Sequence, residues 1–492
     1  PLDAPQLRFQ GRVPPGGGEA GLRAAWQEAM SKPLTRGEVK AASAFAYTDF
    51  GPAGTVVSDS VEPVLGIREL RFANNVRLNL KRTDLQKDRV LVQLSIDGGN
   101  MLATRDNPLA TRMVTVLALG GLGKHSKDEI DTLMAGRNVG SAFNSTDESF
   151  TSLAATTPAD LGLQLQLLAA QTTDPGYRRE GEVLYRQTIN NMFASLRATP
   201  GSALSADLGA ILADNDPRFS LGKVDAFRAL TFAKLKTDIT ERLQNGAIEI
   251  GLVGDFDEAE AIQAVARTFG ALPLREAEFR PWADRRDRPF TADHKRRVLR
   301  HTGIKDQALV NMVWKTRDAA DPVEALGLEL LERVVRLELT EVLREKLGKA
   351  YSPGASSQLS FTWRGYGTFS ITASLAVTEV PAARAAIAEA LAGLRAAPID
   401  PDLLLRARAP MLEDFDNALK TNQGWLALTD RAQTEPDRID RHVKGKERLL
   451  ALTPAQLQTL ARRYLTAEGA VEITVLPEGV EEPASAQPTV SR

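Results

Sequence analysis

One order of elements is readable twice along this 492-residue chain. From Gly66 to Pro273, two stretches of alternating apolar and polar residues lead into a series of helical patterns, then a strongly apolar strand. From Ala308 to Leu476 that order returns. Strands grouped at the ends of a helical series favour an antiparallel sheet covered by helices over strict strand–helix alternation. The expected fold is therefore α+β, in two similar repeats. The expected boundaries are 1–60 for a linker segment with short helices, 61–275 for the first repeat, 276–294 for an interdomain linker, 295–480 for the second repeat and 481–492 for a polar tail.

In the first repeat the pattern predicts strands over Leu70–Thr83, with a turn at Asn74-Asn75, and over Val90–Gly99, the latter buried on one face. Helical periodicity covers Pro108–Leu119 and resumes at Ser126–Ala135, where Ser126 is the cap and Asp128 and Glu129 face the positive end of the helix. A strand over Phe143–Ala155 precedes helices over Pro158–Gln171, Arg178–Leu196, Ala203–Ala213 and Val224–Ile239. A strand over Ala247–Val253 and a helix over Glu258–Phe269 close the repeat. In the second, a strand over Ala308–Trp314 leads to a helix over Pro322–Leu347. Asp321 caps it, Pro322 takes its first position, and Leu328, Leu331, Val335, Leu339 and Val342 form one apolar stripe. Strands over Gln358–Thr362, Gly367–Leu375 and Ala470–Leu476 enclose helices over Pro381–Leu394, Pro401–Leu419, Arg438–Leu449 and Thr453–Tyr464.

Composition removes whole classes of function. A formal net charge of -2 favours neither nucleic acid nor an anionic membrane surface. No apolar run approaches the roughly 20 residues of a membrane-spanning helix. Cysteine is absent, and with it disulfides, thiolate nucleophiles and Cys-based metal sites. The absence suits an oxidising compartment. The four histidines, His125, His294, His301 and His442, include no pair at helical metal-ligand spacing. His125, His294 and His301 read as solvated imidazoles. Gly120-Gly121-Leu122-Gly123-Lys124 is short of a phosphate loop, because Ala118 and His125 stand where Gly and Ser or Thr are required.

The remaining candidate is the end of the long helix. Arg344 lies in its last turn, Gly348 lets the chain reverse, and Tyr351 follows. A guanidinium and a phenol brought to one cavity supply fixed positive charge and a neutral donor, the two groups an oxyanion site needs. A helix-end cation and a strand-opening tyrosine are also common without any such role.

Leu343-Arg344-Glu345-Lys346-Leu347-Gly348-Lys349-Ala350-Tyr351-Ser352 resembles the Arg/Tyr signature of the pitrilysin family, which includes insulin-degrading enzyme and the mitochondrial processing peptidases. Asn74-Asn75-Val76, Ile250-Gly251-Leu252-Val253-Gly254-Asp255-Phe256 and Phe269-Gly270-Ala271-Leu272-Pro273 resemble further phrases of that family, and Phe45-Ala46-Tyr47 with Phe50-Gly51 resembles its inter-half linker. The resemblance implies one half of a clam-shell peptidase. In the catalytic half an inverted His-x-x-Glu-His helix and a distal Glu hold zinc and activate water. Here Thr111 and Thr115 fall at the histidine positions, Val114 at the glutamate, and Gln187 and Thr188 at the distal site. The resemblance thus implies no cofactor in this chain and zinc in a homologous partner half, either a separate subunit or an upstream part of the same polypeptide. Arg344 and Tyr351 would stabilise the oxyanion on a peptide substrate. The chain alone is expected to be inactive, and a periplasmic or secreted bacterial location is expected. The alternative is an inert structural or peptide-binding subunit of the same fold.

Overall fold

Two sheets carry the described residues, which in this computed structural model are 8, 10–11, 13–32, 44–347 and 353–483. The first contains β1 (Val56–Val61), β2 (Arg68–Phe72), β3 (Arg77–Arg82), β4 (Val90–Asp97), β5 (Asn144–Ser145), β6 (Ser149–Thr156) and β7 (Ile248–Gly254), in the order β1-β2-β3-β7-β4-β6-β5. The second contains β8 (Arg297–His301), β9 (Gln307–Thr316), β10 (Gly354–Leu359), β11 (Gly367–Ala376) and β12 (Val471–Pro477), in the order β10-β11-β9-β12-β8. Pairing is antiparallel except for β3 with β7 and β8 with β12. Read from their parallel ends, β3-β7-β4-β6-β5 and β8-β12-β9-β11-β10 have the same connectivity. The repeated element order is a repeated topology, and the fold is α+β. β1 and β2 are additions to the first sheet, and β1 begins inside the stretch read as linker.

The chain divides into two compact units, residues 1–44 and 45–492. In the first, the helix Gly18–Ser31 buries no side chain. Of the two short helical patterns that the sequence shows in this segment, near Glu19–Met30 and near Thr35–Phe45, the second lies almost entirely outside the described residues.

Each sheet packs its own helices on one face. Leu78, Leu80, Val92, Leu94, Ile250 and Leu252 meet the helices Leu161–Thr173 and Phe232–Asn245 in one core. Val310, Met312, Phe369 and Ile371 meet Pro322–Leu347 and Val380–Ala396 in the other. The opposite faces are covered by exchange between repeats. The helix Pro200–Leu212 of the first repeat places Ala203, Leu204 and Leu212 on Leu309, Val313, Val471 and Ile473 of the second sheet. Asn422–Thr429 of the second repeat puts Leu426 on Leu91 and Val253 of the first. The single buried face expected for Val90–Gly99 is therefore corrected. β4 is buried on both sides, because the other repeat supplies its second cover.

The exchange carries a buried polar knot. Glu249 on β7 is wholly buried and accepts hydrogen bonds from Asn79 Nδ2 (2.6 Å), Thr434 Oγ1 (2.5 Å) and the Gln433 amide (2.9 Å). Asn79 also donates to the Thr429 carbonyl (2.9 Å), and Gln433 Nε2 donates to Asn79 Oδ1 (2.8 Å). Satisfied in this way, a polar group can sit between the first sheet and the segment that covers it without the cost of an unmade bond.

Other differences from the sequence reading have local causes. Pro108–Leu119 is a run of turns to Met113, then a 3₁₀ helix Val114–Gly120. The topologically equivalent element of the second repeat is the continuous α-helix Pro322–Leu347. Val224–Ile239 breaks at Leu230, because Thr231 caps a new helix by accepting from the Lys234 amide. The strand predicted over Phe143–Ala155 turns at Thr146–Glu148, and Gln358–Thr362 gives way to β10, which ends at Leu359. Arg438–Leu449 is two short helices, Asp437–Val443 and Gly445–Ala451. Asn422–Thr429 and β1 were not anticipated as elements. Asn74 Nδ2 donates to the carbonyls of Phe269 (2.8 Å) and Leu272 (3.0 Å), and Asn75, at φ 70°, donates to that of Arg275 (2.8 Å). Two phrases that carried the family resemblance are thus in contact.

Two predictions follow from this packing. Burial raises the Glu249 carboxyl above its ordinary 4.5, against the opposing hydrogen bonds. A raised folded pKa gives stability that is full below 4.5 and is lost as pH rises through the folded value. In Glu249→Gln that loss is absent, so the urea midpoint of the variant minus that of the parent should grow as pH rises from 4.5. A pH-independent difference would refute the assignment. Tyr185, on the helix Arg179–Ser195, buries its hydroxyl with no hydrogen-bond partner, and burial pushes its pKa up to about 12. An unsatisfied buried group costs roughly 1–3 kcal/mol, so Tyr185→Phe should keep or raise stability in chemical denaturation; a loss above about 1 kcal/mol would contradict it.

Candidate functional site

The helix that ends in Arg344 is set by its own sequence. Asp321 Oδ1 accepts from the amides of Val323 (2.9 Å) and Glu324 (3.2 Å), satisfying two N–H groups that the first turn leaves unpaired. Leu328, Leu331, Val335, Leu339 and Leu343 are buried, with Leu330 and Val334 widening the stripe, and Val342 is half-buried. Arg344 therefore emerges on the exposed side of the last turn. Tyr351 lies outside the described residues.

The positions aligned with the zinc ligands do not fit the metal. Thr111 is buried and donates its hydroxyl to Asn100 Oδ1 (2.8 Å), which also accepts from Ser145 Oγ (2.9 Å). Val114 is buried in the apolar core, whereas Thr115 is exposed. A 3₁₀ and turn backbone separates side chains that an α-helix would stack at i, i+4. Gln187 and Thr188 are exposed on Arg179–Ser195, and Thr188 spends its hydroxyl on the Leu184 carbonyl (3.1 Å). Among the described residues no three His, Asp or Glu side chains gather as a metal site.

The histidines are corrected in part. His125 and His301 are buried, not solvated. His125 Nε2 accepts from the Ala46 amide (2.9 Å) and its ring stacks on Phe45, pinning the linker to the loop after the 3₁₀ helix. Tyr47 completes that contact, donating to Asp174 Oδ2 (2.6 Å) and accepting from the Lys124 amide (2.8 Å). His301 accepts from the Gly303 amide at Nδ1 (3.1 Å), and its Nε2 lies 2.9 Å from the Gln307 carbonyl. The glycine loop is likewise structural. The carbonyls of Gly120, Leu122 and Gly123 converge on the Arg178 guanidinium, the reverse of the N–H cradle a phosphate would need.

A cleft of about 310 Å³ opens at Thr111 and Thr115. Its walls come from the turn segment, the loop Pro217–Leu221, the interdomain stretch at Arg285 and Arg288, and Trp363 from the second repeat. That stretch is strapped to the first repeat by a buried ion pair. Arg242, 1% exposed, meets Asp97, also 1% exposed, at 2.7 Å and grips Glu276 through two bonds of 2.8 Å. Trp282 Nε1 donates to Asp97 (3.2 Å). Arg286 pairs with Glu148 and donates to the Thr362 carbonyl (3.1 Å), while Trp363 Nε1 donates to Asp147 (2.9 Å). Asp216 behind the cleft is held down to about 2 by Arg218, with Arg105 adding a second contact. From the sequence, 276–294 reads only as an interdomain linker. The clustered arginines at 285, 286 and 288 were the available signal, but nothing local said what they would face.

Residues 229–411 match the family described as Peptidase M16 inactive domain. The chain is 21% identical over 419 residues to the chloroplastic stromal processing peptidase of Arabidopsis thaliana, covering 75% of this chain and 33% of that protein. It therefore spans about a third of the length of that curated relative. The periplasmic protease PqqL from Escherichia coli has a similar fold, with a TM-score of 0.76 at 13% identity over 94% of this chain and 51% of that one. The peptidase M16 inactive domain from Pseudomonas fluorescens gives 0.68 at 15% identity over 85% of this chain and 100% of that one. The phrases that resembled pitrilysin thus lie in a chain whose residues 229–411 match the inactive domain of the M16 peptidases, and whose fold is that of one half of such a peptidase.

Proposed function

We propose that this chain is the non-zinc-binding half of a zinc metallopeptidase that degrades or processes peptides, and that a His-x-x-Glu-His-bearing homologous half completes its chamber. The observation that carries this reading is the contrast between two equivalent elements. In the first repeat the aligned ligand positions are Thr111, Val114 and Thr115 on a broken segment, with Thr111 and Val114 committed to internal contacts. In the second repeat the element is an intact helix with Arg344 exposed at its end. The match of residues 229–411 to an inactive domain supports the same division of labour.

In this reading Arg344 and Tyr351 act together on the scissile carbonyl oxygen. The guanidinium supplies charge that does not titrate near neutral pH, and the phenol donates a hydrogen bond that strengthens as the oxygen becomes negative. Both are worth more in a water-excluded chamber than in solution. The proposed compartment is periplasmic or secreted. The chain has no cysteine, and PqqL, which is similar in fold, is a periplasmic protease. No helix among the described residues is long and apolar enough to cross a membrane.

The test is peptide hydrolysis by the zinc-bearing half, by this chain and by their mixture. This chain alone should be silent and the mixture should exceed the zinc-bearing half; equal turnover with and without this chain would favour the inert-subunit reading. Tyr351→Phe and Arg344→Met should each lower kcat about 10²–10³-fold with KM little changed. Unaltered kcat in both variants would remove the pair from the site.

A further inference from the structure

The cleft at Thr111 and Thr115 is built for an anion. Four arginines line it, Arg112, Arg218, Arg285 and Arg288, against one carboxylate, Asp147. Asp147 is engaged by Trp363, and Arg218 is neutralised by Asp216 at 2.8 Å. Arg285 spends one nitrogen on the Met101 carbonyl (2.8 Å) and has the exposed Asp284 at 3.9 Å. Arg112 and Arg288 have no carboxylate within ion-pair distance among the described residues. Arg288 lies between two rings, 4.4 Å from Tyr366 and 4.6 Å from Phe219, and its buried Nε has no hydrogen-bond partner. Stacking fixes the plane of a guanidinium and leaves its edge for a planar acceptor.

The cleft continues into a second cavity of about 440 Å³, with Pro108, Leu109, Pro217, Ser220 and Leu221 common to both. The second is largely apolar, with Phe193, Leu196, Ala206 and Ala226 in its lining. Its one charged pair, Arg197 and Asp207, cancels internally through bonds of 2.7 and 2.9 Å. A planar-anion site thus adjoins a neutral apolar one. Inorganic phosphate would use only the first; a peptide carboxylate with an apolar neighbour would use both.

We propose that this double cleft is a peptide-anchoring site in which Arg112 and Arg288 bind a carboxylate while the adjoining cavity takes an apolar side chain next to it. The proposal rests on the peptide-handling reading above and adds a substrate preference, for peptides carrying a carboxylate beside an apolar residue. The carboxylate is either a chain terminus or an acidic side chain, and the chemistry is common to both.

The test is fluorescence anisotropy with the full chain and a dye-labelled hexapeptide ending in Leu-Glu. Three companions are the C-terminal amide, the Gln form with a free terminus, and the Gln form as an amide. The free peptide should bind, and the Gln amide, which has neither carboxylate, should bind at least about tenfold more weakly, as expected for loss of a charged hydrogen bond. Whichever single-carboxylate peptide keeps its affinity identifies the source. Arg112→Met and Arg288→Met should each weaken the free peptide by about the same factor. Because Arg112 is exposed, its variant should keep the parent circular dichroism and Tm, which guards against misfolding as the cause. Equal affinity for the Leu-Glu peptide and the Gln amide, or parent affinity in a folded Arg112→Met, would overturn the proposal. So would failure of every peptide to bind. None of these results bears on turnover in the two-half mixture, so this site and the Arg344–Tyr351 reading can fail separately.

Discussion

Each sheet in this chain has two faces to bury and enough helices of its own for one. β4, β7, β9 and β12 are buried on both sides along nearly their whole length. A repeat standing alone would leave one of those faces in water, at about 25 cal/mol for each Å² of apolar surface. The exchange of Pro200–Leu212 for Asn422–Thr429 removes that cost, and in doing so makes the two repeats one folding unit. Residues 45–492 form a single compact body for that reason. The Glu249 knot sits at this interface. Its donors come from both repeats, so its satisfaction depends on the exchange.

The linker between the repeats has a second role in holding them together. Arg242 and Asp97 are both almost completely buried, and breaking one partner of such a pair typically costs about 3–5 kcal/mol. With Glu276 and Trp282 joined to the pair, the chain after Leu272 cannot leave the first repeat. It is thereby carried over the turn segment from Pro108 to Thr115, where Arg285 and Arg288 become cleft walls. A stretch that reads as irregular and charged is in fact fixed by a buried network.

The two repeats have the same topology and treat their equivalent helix differently. Pro322–Leu347 has a cap, a continuous stripe and no internal glycine after Gly327. The first-repeat segment ends in Gly120-Gly121-Leu122-Gly123, whose carbonyls are gathered by Arg178, and its hydroxyl at Thr111 is tied to Asn100. One version presents an exposed Arg344 at a helix end; the other lines a cationic cleft.

Much of the fold was legible from local pattern. Pro322–Leu347 agrees at both ends, because cap, proline and stripe all act within the helix itself. The turn at Asn74-Asn75 and the cap at Ser126 are equally local. Asn422–Thr429 was missed because its eight residues are too few to display a period, and its burial depends on a partner more than 150 residues away. The break in Pro108–Leu119 was missed because its spacing is helical while its hydrogen bonds go elsewhere. Arg344 and Tyr351 were singled out by their place at a helix end, and Thr111, Val114 and Thr115 only through the resemblance to the pitrilysin family; their surroundings carried no local signal. By itself the sequence determined element order, the caps, the absence of cysteine and the lack of any histidine pair at helical metal-ligand spacing, all properties of residues and near neighbours. Tertiary structure alone decided which helix covers which sheet, why Glu249 can be buried, and that distant arginines share a cleft with Trp363. Those depend on contacts between segments whose separation along the chain carries no local signal.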